Sequence, residues 1–343
     1  MNTKKELLTS SYDFTLPSKL IATHPASPRD NAKLLVYNRK TNEVTHTYFY
    51  DFEKFIPKNC ALIFNDTKVI KARIFGKKSS GGKIELLINR PLDANNINVY
   101  IRGKVKPNTK IYFDANLIAV VKEIKDDGSR VVNFYIKTKL LRFEDLLPII
   151  DKIGHIPLPP YIQREDTTQD VSEYQSVFAK EEGAVAAPTA SLHFTQEQHK
   201  RICDNYTHAF ITLHVGSGTF KPVEVKTITD HPMHSEYYDI SDKAKKLLDS
   251  NTSILSIGTT STRTIEFYEK HGKIQRGEAN LFLHPNNKPS RVNHLLTNFH
   301  LPKSTLLMLV ASFVGVDKTQ ELYAEAIKNE YRFYSYGDAM LIL

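Results

Sequence analysis

Four short segments of this chain are dense in glycine, threonine, serine and histidine and poor in helical or strand periodicity. They are Gly183-Ala-Val-Ala-Ala-Pro-Thr-Ala-Ser-Leu-His193-Phe194, Leu213-His-Val-Gly-Ser-Gly-Thr-Phe220, Gly258-Thr-Thr-Ser-Thr-Arg-Thr264 and Thr297-Asn-Phe-His-Leu-Pro-Lys-Ser-Thr305. Small side chains let a backbone approach a ligand closely, and Pro188 stiffens the path. Imidazole changes charge near neutral pH, so His193, His214 and His300 can transfer protons. Four such segments point to one shared pocket for a flat, polar ligand, although tight packing loops have the same composition.

Other chemistries fit parts of the same pattern. His231-Pro-Met-His234, with His193, His214 and His300, raises a mononuclear metal hydrolase. These histidines lie in separate proline- or glycine-bearing segments, without the helical His pair of zinc sites, so no metal is expected. The run Ile211-Thr-Leu-His-Val-Gly-Ser-Gly218 is similar to a Rossmann strand and glycine loop, but Phe220-Lys-Pro222 follows where a helix should start. Asn65-Asp-Thr-Lys-Val-Ile-Lys-Ala-Arg73 ends the apolar run 61–64, placing amide, carboxylate, hydroxyl and cations where a strand meets a loop. A junction turn in which Asp66 and Thr67 bond their own backbone would explain it equally well.

These groups must be positioned by a chain of 343 residues, long enough for two domains. The 46 basic against 38 acidic side chains leave a net charge of +8, which favours a polyanionic partner such as RNA or is simply a solvated basic surface. Cys60 and Cys203 form no C-x-x-C pair, so neither a disulfide framework nor a thiolate zinc site is expected, and a reducing cytoplasm fits. The start of the chain has no apolar signal region and the run 306–314 is too short to span a bilayer, so no membrane association is expected.

Between residues 69 and 139, β-rich runs at 70–75, 83–88, 97–101, 110–113, 118–124 and 130–136 alternate with turn signals such as Gly81-Gly82, Asp93-Ala-Asn-Asn96 and Asp126-Asp-Gly128. This pattern predicts an antiparallel barrel. Beyond residue 195, helical segments alternate with single apolar strands at 209–215 and 254–257, an α/β layer pattern. Thr195 with Gln198 has capping-box spacing, Ser241 and Ser304 read as N-caps, and 264–271 reads as a helix ended by Gly272. The first sixty residues share this mixed character. The expected fold class is therefore α/β, a discontinuous layered domain (1–67 and 151–343) with an inserted antiparallel β-barrel (68–150).

Ordered motifs run along almost the whole chain. They include Tyr12-Asp-Phe-Thr-Leu-Pro17, Pro25-Ala-Ser-Pro-Arg-Asp30, Asn65-Asp-Thr67, Gly81-Gly-Lys83, His155-Ile-Pro-Leu-Pro-Pro-Tyr161 and Ala186-Ala-Pro-Thr-Ala190. They continue with His193-Phe194, His214-Val-Gly216, Gly218-Thr-Phe220, Met233-His-Ser-Glu-Tyr-Tyr238, Gly258-Thr-Thr-Ser261, 297–305 and Tyr336-Gly-Asp338. Together they resemble the S-adenosylmethionine:tRNA ribosyltransferase-isomerase family of queuosine biosynthesis. Departures fall at Ser191, at Ser217 and in 281–288, so no role is carried to His284.

The resemblance implies an enzyme that moves the ribosyl part of S-adenosylmethionine onto 7-aminomethyl-7-deazaguanine at the tRNA wobble position. Epoxyqueuosine forms, and adenine and methionine leave. S-adenosylmethionine is then a consumed co-substrate, no cofactor is expected, and the enzyme is expected to be a cytoplasmic monomer. A sulfonium acidifies the adjacent 5′-carbon, so a general base is required. His214 and Glu236 are the base candidates, while His193 and His300 would donate to adenine or orient hydroxyls. Thr189, Thr219, Thr259 and Thr260 would contact ribose or amino acid groups. Asp66 would hold the ammonium or ribose, and Asp338 the acceptor. The remaining motif members Asn65, Thr67, Pro188, Gly216, Gly218, His234, Gly258, Ser261, Arg263, Asn298 and Ser304 complete the substrate-binding set. Arg73, Lys83, Arg102 and Lys104 are expected phosphate contacts on the anticodon stem-loop.

Overall fold

The computed structural model describes residues 5–216, 218 and 222–343. Strands β1 (Lys33–Asn38), β2 (Glu43–Tyr48) and β3 (Cys60–Asn65) come first. They are followed by β4 (Thr67–Val69), β5 (Arg73–Lys78), β6 (Lys83–Pro91), β7 (Ile97–Arg102), β8 (Lys110–Tyr112), β9 (Leu117–Ile124), β10 (Arg130–Ile136) and β11 (Lys139–Leu140). Helices α1 (Phe143–Ile153) and α2 (Asp170–Glu173) lead to β12 (Glu181–Ala184) and a 3-10 turn at Thr189–His193. The chain continues through α3 (Gln196–Asn205), β13 (His208–Leu213), β14 (Glu236–Ile240), α4 (Asp242–Leu248), β15 (Ser253–Ile257) and α5 (Thr259–Lys270). It ends with β16 (Arg276–Ala279), β17 (His294–Asn298), α6 (Thr305–Val314), α7 (Val316–Lys328) and β18 (Ala339–Ile342).

Two compact units result. One comprises 1–67, 175–181 and 187–343; the other comprises 68–174 and 182–186. The first is built on a mixed sheet of order β16-β14-β13-β3-β15-β17-β18-β1-β2. Its four neighbours β13, β3, β15 and β17 run parallel. Strand β3 is buried along its whole length, and its sequence Cys-Ala-Leu-Ile-Phe-Asn is correspondingly a continuous run instead of an alternating one. Leu62, Phe64, Leu255, Leu296 and Phe194 lie in one core cluster, each buried side chain stabilising the fold by about 1.5–3 kcal/mol. Parallel strands end at the same edge, so the residues after Asn65, Leu213, Ile257 and Asn298 emerge side by side.

The second unit is a six-stranded antiparallel barrel of order β10-β7-β6-β5-β8-β9, closed by β9 against β10, with β11 added to β10. Alternation sorts its side chains: Ile74, Ile84, Leu86, Ile111 and Val121 fill the interior, while Phe75, Lys77, Lys83 and Tyr112 point outward and are exposed. The turns use the expected chemistry. The Asp93 carboxylate accepts the Asn95 and Asn96 amides, and Gly81 and Gly128 adopt φ near +82° and +83°.

Several boundaries differ from expectation. The barrel unit continues past residue 150, because His155 exchanges backbone hydrogen bonds with Arg73. Gly154 permits that approach: a Cβ there would lie 2.2 Å from the Lys71 carbonyl oxygen. Residues 182–186 also belong to the barrel unit, where Val185 joins its core. The segment 183–194, read as one wall, is therefore divided between the units. Helix α5 begins five residues before the expected 264. Its Thr and Ser residues have modest helix propensity, but here Ser261, Thr262 and Thr264 donate back to the Ile257, Gly258 and Thr260 carbonyls. Thr195, Ser241 and Ser304 cap their helices by accepting the Gln198, Ala244 and Leu307 amides. The capping box at Thr195 is incomplete, since the Gln198 side chain donates to the Phe49 carbonyl instead. Among the described residues, no helix is long and apolar enough to cross a membrane.

Candidate active site

Three of the histidine- and threonine-rich segments follow directly from the carboxyl ends of β13, β15 and β17, and Asn65-Asp-Thr67 from that of β3. Ligand crevices of open α/β sheets form at such ends. Asn65 joins the edges of two of these strands. Its amide nitrogen donates to the Leu213 carbonyl (3.1 Å) and to Thr260 Oγ1 (3.2 Å), and its oxygen accepts the Leu213 and Thr67 amides. Fully buried and engaged at both ends, Asn65 positions its neighbours and is closed to a ligand.

Thr67 Oγ1, placed by this clamp, lies 2.8 Å from His214 Nδ1. The half-buried imidazole stacks on Tyr237 with ring centroids 5.9 Å apart. Burial lowers the His214 pKa against an opposing pull from Glu181, so the ring is neutral at pH 7. Beside it, Asp66 accepts from Thr212 Oγ1 at 2.7 Å, and burial raises its pKa despite that bond.

A second cluster surrounds Glu236. One carboxylate oxygen accepts the Gly216 amide (3.0 Å) and the other the Arg263 guanidinium (2.7 Å). Both side chains are over nine-tenths buried. Arg263 Nη2 is buried with no hydrogen-bond partner among the described residues. Arg263 and Glu236 line a small cavity with Gly218, His231, Met233, His234, Thr305 and Leu306. Gly218 is required there, because a Cβ would lie 2.6 Å from the His234 ring. Arg263 stands three residues after Thr260 on α5, on the same helix face. His214 does not line this cavity.

His193 Nε2 lies 3.2 Å from Asn298 Oδ1. The Asn298 amide nitrogen donates to the Tyr334 and Ser335 carbonyls, which fixes its oxygen toward His193 and makes Nε2 the protonated nitrogen. Burial lowers the His193 pKa to about 4, with the Asn298 bond opposing. His300 is also buried, its Nε2 lies 2.7 Å from Thr297 Oγ1 while its backbone N–H donates to the Tyr323 hydroxyl, and burial lowers its pKa to about 3.

Other expected site residues serve the scaffold. Asp338, 1% exposed, accepts from Arg332 and from the Lys33 amide, leaving no carboxylate free for an acceptor. Ser261 is fully buried with its hydroxyl on Ile257, and Ser304 is a helix cap. Gly258 turns the chain from β15 into α5 at φ +93°, against Ala190 of the 3-10 turn that Pro188 and Thr189 begin. Thr259 and Thr260 are the first residues of α5. Thr219 lies outside the described residues. Arg73, Lys83, Arg102 and Lys104 belong to the barrel unit. Among the described residues, no group of three His, Cys, Asp or Glu side chains is arranged to hold a metal ion. Sequence reasoning missed Tyr237, Thr212 and Glu181. Only alternation along β14, which buries Glu236 and Tyr238 and exposes Tyr237, offered a signal for the first.

Comparison with known proteins agrees with the motif pattern. The family described as queuosine biosynthesis protein matches residues 9–342. The chain is 77% identical to the S-adenosylmethionine:tRNA ribosyltransferase-isomerase of Sulfurimonas denitrificans, covering 98% of this chain and 99% of that protein. It is 58% identical to the Aliarcobacter butzleri protein of the same name, with the same two coverages. A crystal structure of S-adenosylmethionine tRNA ribosyltransferase from Thermotoga maritima aligns with a TM-score of 0.54 at 30% identity, covering 97% of this chain and 100% of that one. With motifs, strand-end geometry and end-to-end similarity in agreement, the chain belongs to the queuosine biosynthesis protein family.

Proposed function

We infer that this chain is an S-adenosylmethionine:tRNA ribosyltransferase-isomerase. It transfers and isomerises the ribosyl group of S-adenosylmethionine onto 7-aminomethyl-7-deazaguanine at the tRNA wobble position, releasing adenine and methionine. The single observation that carries this reading is the family match over residues 9–342.

Within that reaction, His214 is the base for the 5′-carbon. It is neutral, its Nδ1 is held by Thr67, and its Nε2 has no partner among the described residues. A base must start unprotonated, and burial supplies that condition. Glu236 fits the role less well, because both oxygens already accept hydrogen bonds, one from the Gly216 amide and the other from Arg263. Arg263 Nη2, buried and with no partner among the described residues, suits the carboxylate of the donor's amino acid, for which guanidinium is the geometrically matched partner. Asp66 suits its ammonium or ribose. Burial keeps His193 and His300 in the neutral form at pH 7, with no imidazolium proton to give, which favours positioning roles for both. The enzyme acts in the cytoplasm as a monomer, without a resident cofactor.

The test is incubation with S-adenosylmethionine and tRNA bearing the aminomethyl base, followed by mass spectrometry. Adenine, methionine and an epoxycyclopentanediol adduct on the tRNA are expected. S-adenosylhomocysteine in their place would mean methyl transfer and overturn the reading.

A further inference from the structure

The outer face of the barrel carries a patch that joins two of the expected phosphate contacts, Lys83 and Arg102, to groups with no role assigned so far. Register places its members in two rows across four hydrogen-bonded strands. Phe75 on β5 pairs with Glu85 on β6, which pairs with Arg102 on β7. One step along, Tyr112 on β8 pairs with Lys77 on β5, which pairs with Lys83 on β6. Paired residues point to the same face, so all six side chains share one surface. They line a cleft of about 930 Å³.

Phe75 and Tyr112 are 47% and 43% exposed, although the barrel interior has room in its pattern only for the alternate residues. Arg73 packs its guanidinium over the Phe75 ring at 4.8 Å and pairs with Glu85 at 2.7 Å. Glu85 is further approached by Arg102, so the acid of the patch is neutralised from both sides. Lys77 and Lys83 are exposed and make no ion pair among the described residues. Asp114 at the rim is the other acid of the cleft. Two exposed rings interleaved with cations combine base stacking with backbone attraction, as single-stranded nucleic-acid sites do.

We propose that this face binds unpaired nucleotides of the tRNA anticodon loop, with Phe75 and Tyr112 stacking on bases and Lys77, Lys83 and Arg102 holding phosphates. The proposal rests on the tRNA-modifying reading above. Charge complementarity selects RNA over an apolar partner, and the two exposed rings select unpaired bases over a duplex, whose bases are already stacked.

The experiment is fluorescence anisotropy of a labelled anticodon stem-loop RNA with the full chain over a salt series. F75A and Y112A should each weaken binding about tenfold, the scale of one lost base stack, without changing the salt slope. F75W should bind like the wild type. K77A/K83A should instead reduce the slope of log Kd against log salt by about 1.4, at ~0.7 per single-strand phosphate contact. Wild-type affinity in F75A/Y112A or in F75L would overturn the proposal, the second because leucine keeps apolar contact but cannot stack. Equal competition by a loopless duplex would also overturn it. Unaltered melting temperatures establish that these surface variants remain folded. Failure of the enzymatic reading is separately visible, as wild-type protein that binds the hairpin yet releases no adenine with S-adenosylmethionine and modified tRNA.

Discussion

The strand-end site of the sheet unit and the outer face of the barrel unit both concentrate polar residues, but they handle them in opposite ways. At the sheet ends, Asn65, Thr67, His214, Glu236 and Arg263 are buried or half-buried and bonded to one another. On the barrel, Lys77, Lys83, Phe75 and Tyr112 are exposed, with neither lysine in an ion pair among the described residues. Mutual bonding fixes geometry and protonation state, as stabilising a transition state requires. Exposed, unpaired groups keep their charge and surface available, as attraction of a large polyanion requires. A residue near chemistry is thus recognised by its partners, and a docking residue by the lack of them.

The largest effect expected from this contrast is catalytic. H214A should lower turnover by about 10²–10⁴-fold, the usual contribution of a positioned base, measured as adenine release at saturating donor and tRNA. A loss confined to the KM for tRNA would place His214 with the docking residues instead.

Stability should separate the two regions next. E236A leaves the Arg263 guanidinium buried without its counter-ion and should cost about 3–5 kcal/mol in urea unfolding. A barrel-face lysine variant should change stability by less than about 0.5 kcal/mol. Similar values for both would erase the distinction.

Acid should act on one unit first. Burial holds His193 near 4 and His300 near 3, against about 6.5 in an unfolded chain. The folded state therefore favours neutral rings. Their contribution is whole above pH 6.5 and is lost as pH falls toward 4, at roughly 1.4 kcal/mol per pH unit for each ring. The barrel unit contains a single histidine, half-buried His155. Hydrogen exchange between pH 7 and pH 4.5 should show the sheet unit losing protection before the barrel; the reverse order would contradict the assignment.

The smallest expected effect tests the packing beside the site. Ser191 Oγ is buried with no hydrogen-bond partner among the described residues, so S191A should raise stability by about 1 kcal/mol in thermal unfolding. A decrease would reveal a bond that the hydroxyl makes.

Much of this was legible in the chain. The barrel strands announced themselves because period-two alternation and Asx or glycine turns are local properties, and Arg130–Ile136 matches its expected bounds. Helix caps at Ser241 and Ser304 were equally local. The first turns of helix α5 were not legible because its serine and threonines have modest helix propensity, and here their hydroxyls bond back to carbonyls one turn earlier, from Ile257 at the end of β15 to Thr260. The unit boundary was missed at 150 because His155 pairs with Arg73, eighty-odd positions earlier in the sequence.

The sequence by itself determined the fold class, the family and the segments that carry chemistry, because each depends on residue type, local period or ordered motifs. Only the tertiary structure decided what each polar group does. Asn65, Ser261 and Asp338 look like ligand contacts in a motif, yet packing turns their hydrogen bonds inward. His214 looks no different from His193 or His300 in sequence, yet among the three only His214 is not fully buried. Partners come from strands and loops far apart in the chain, and desolvation depends on everything packed around a group, so neither is encoded within any one segment.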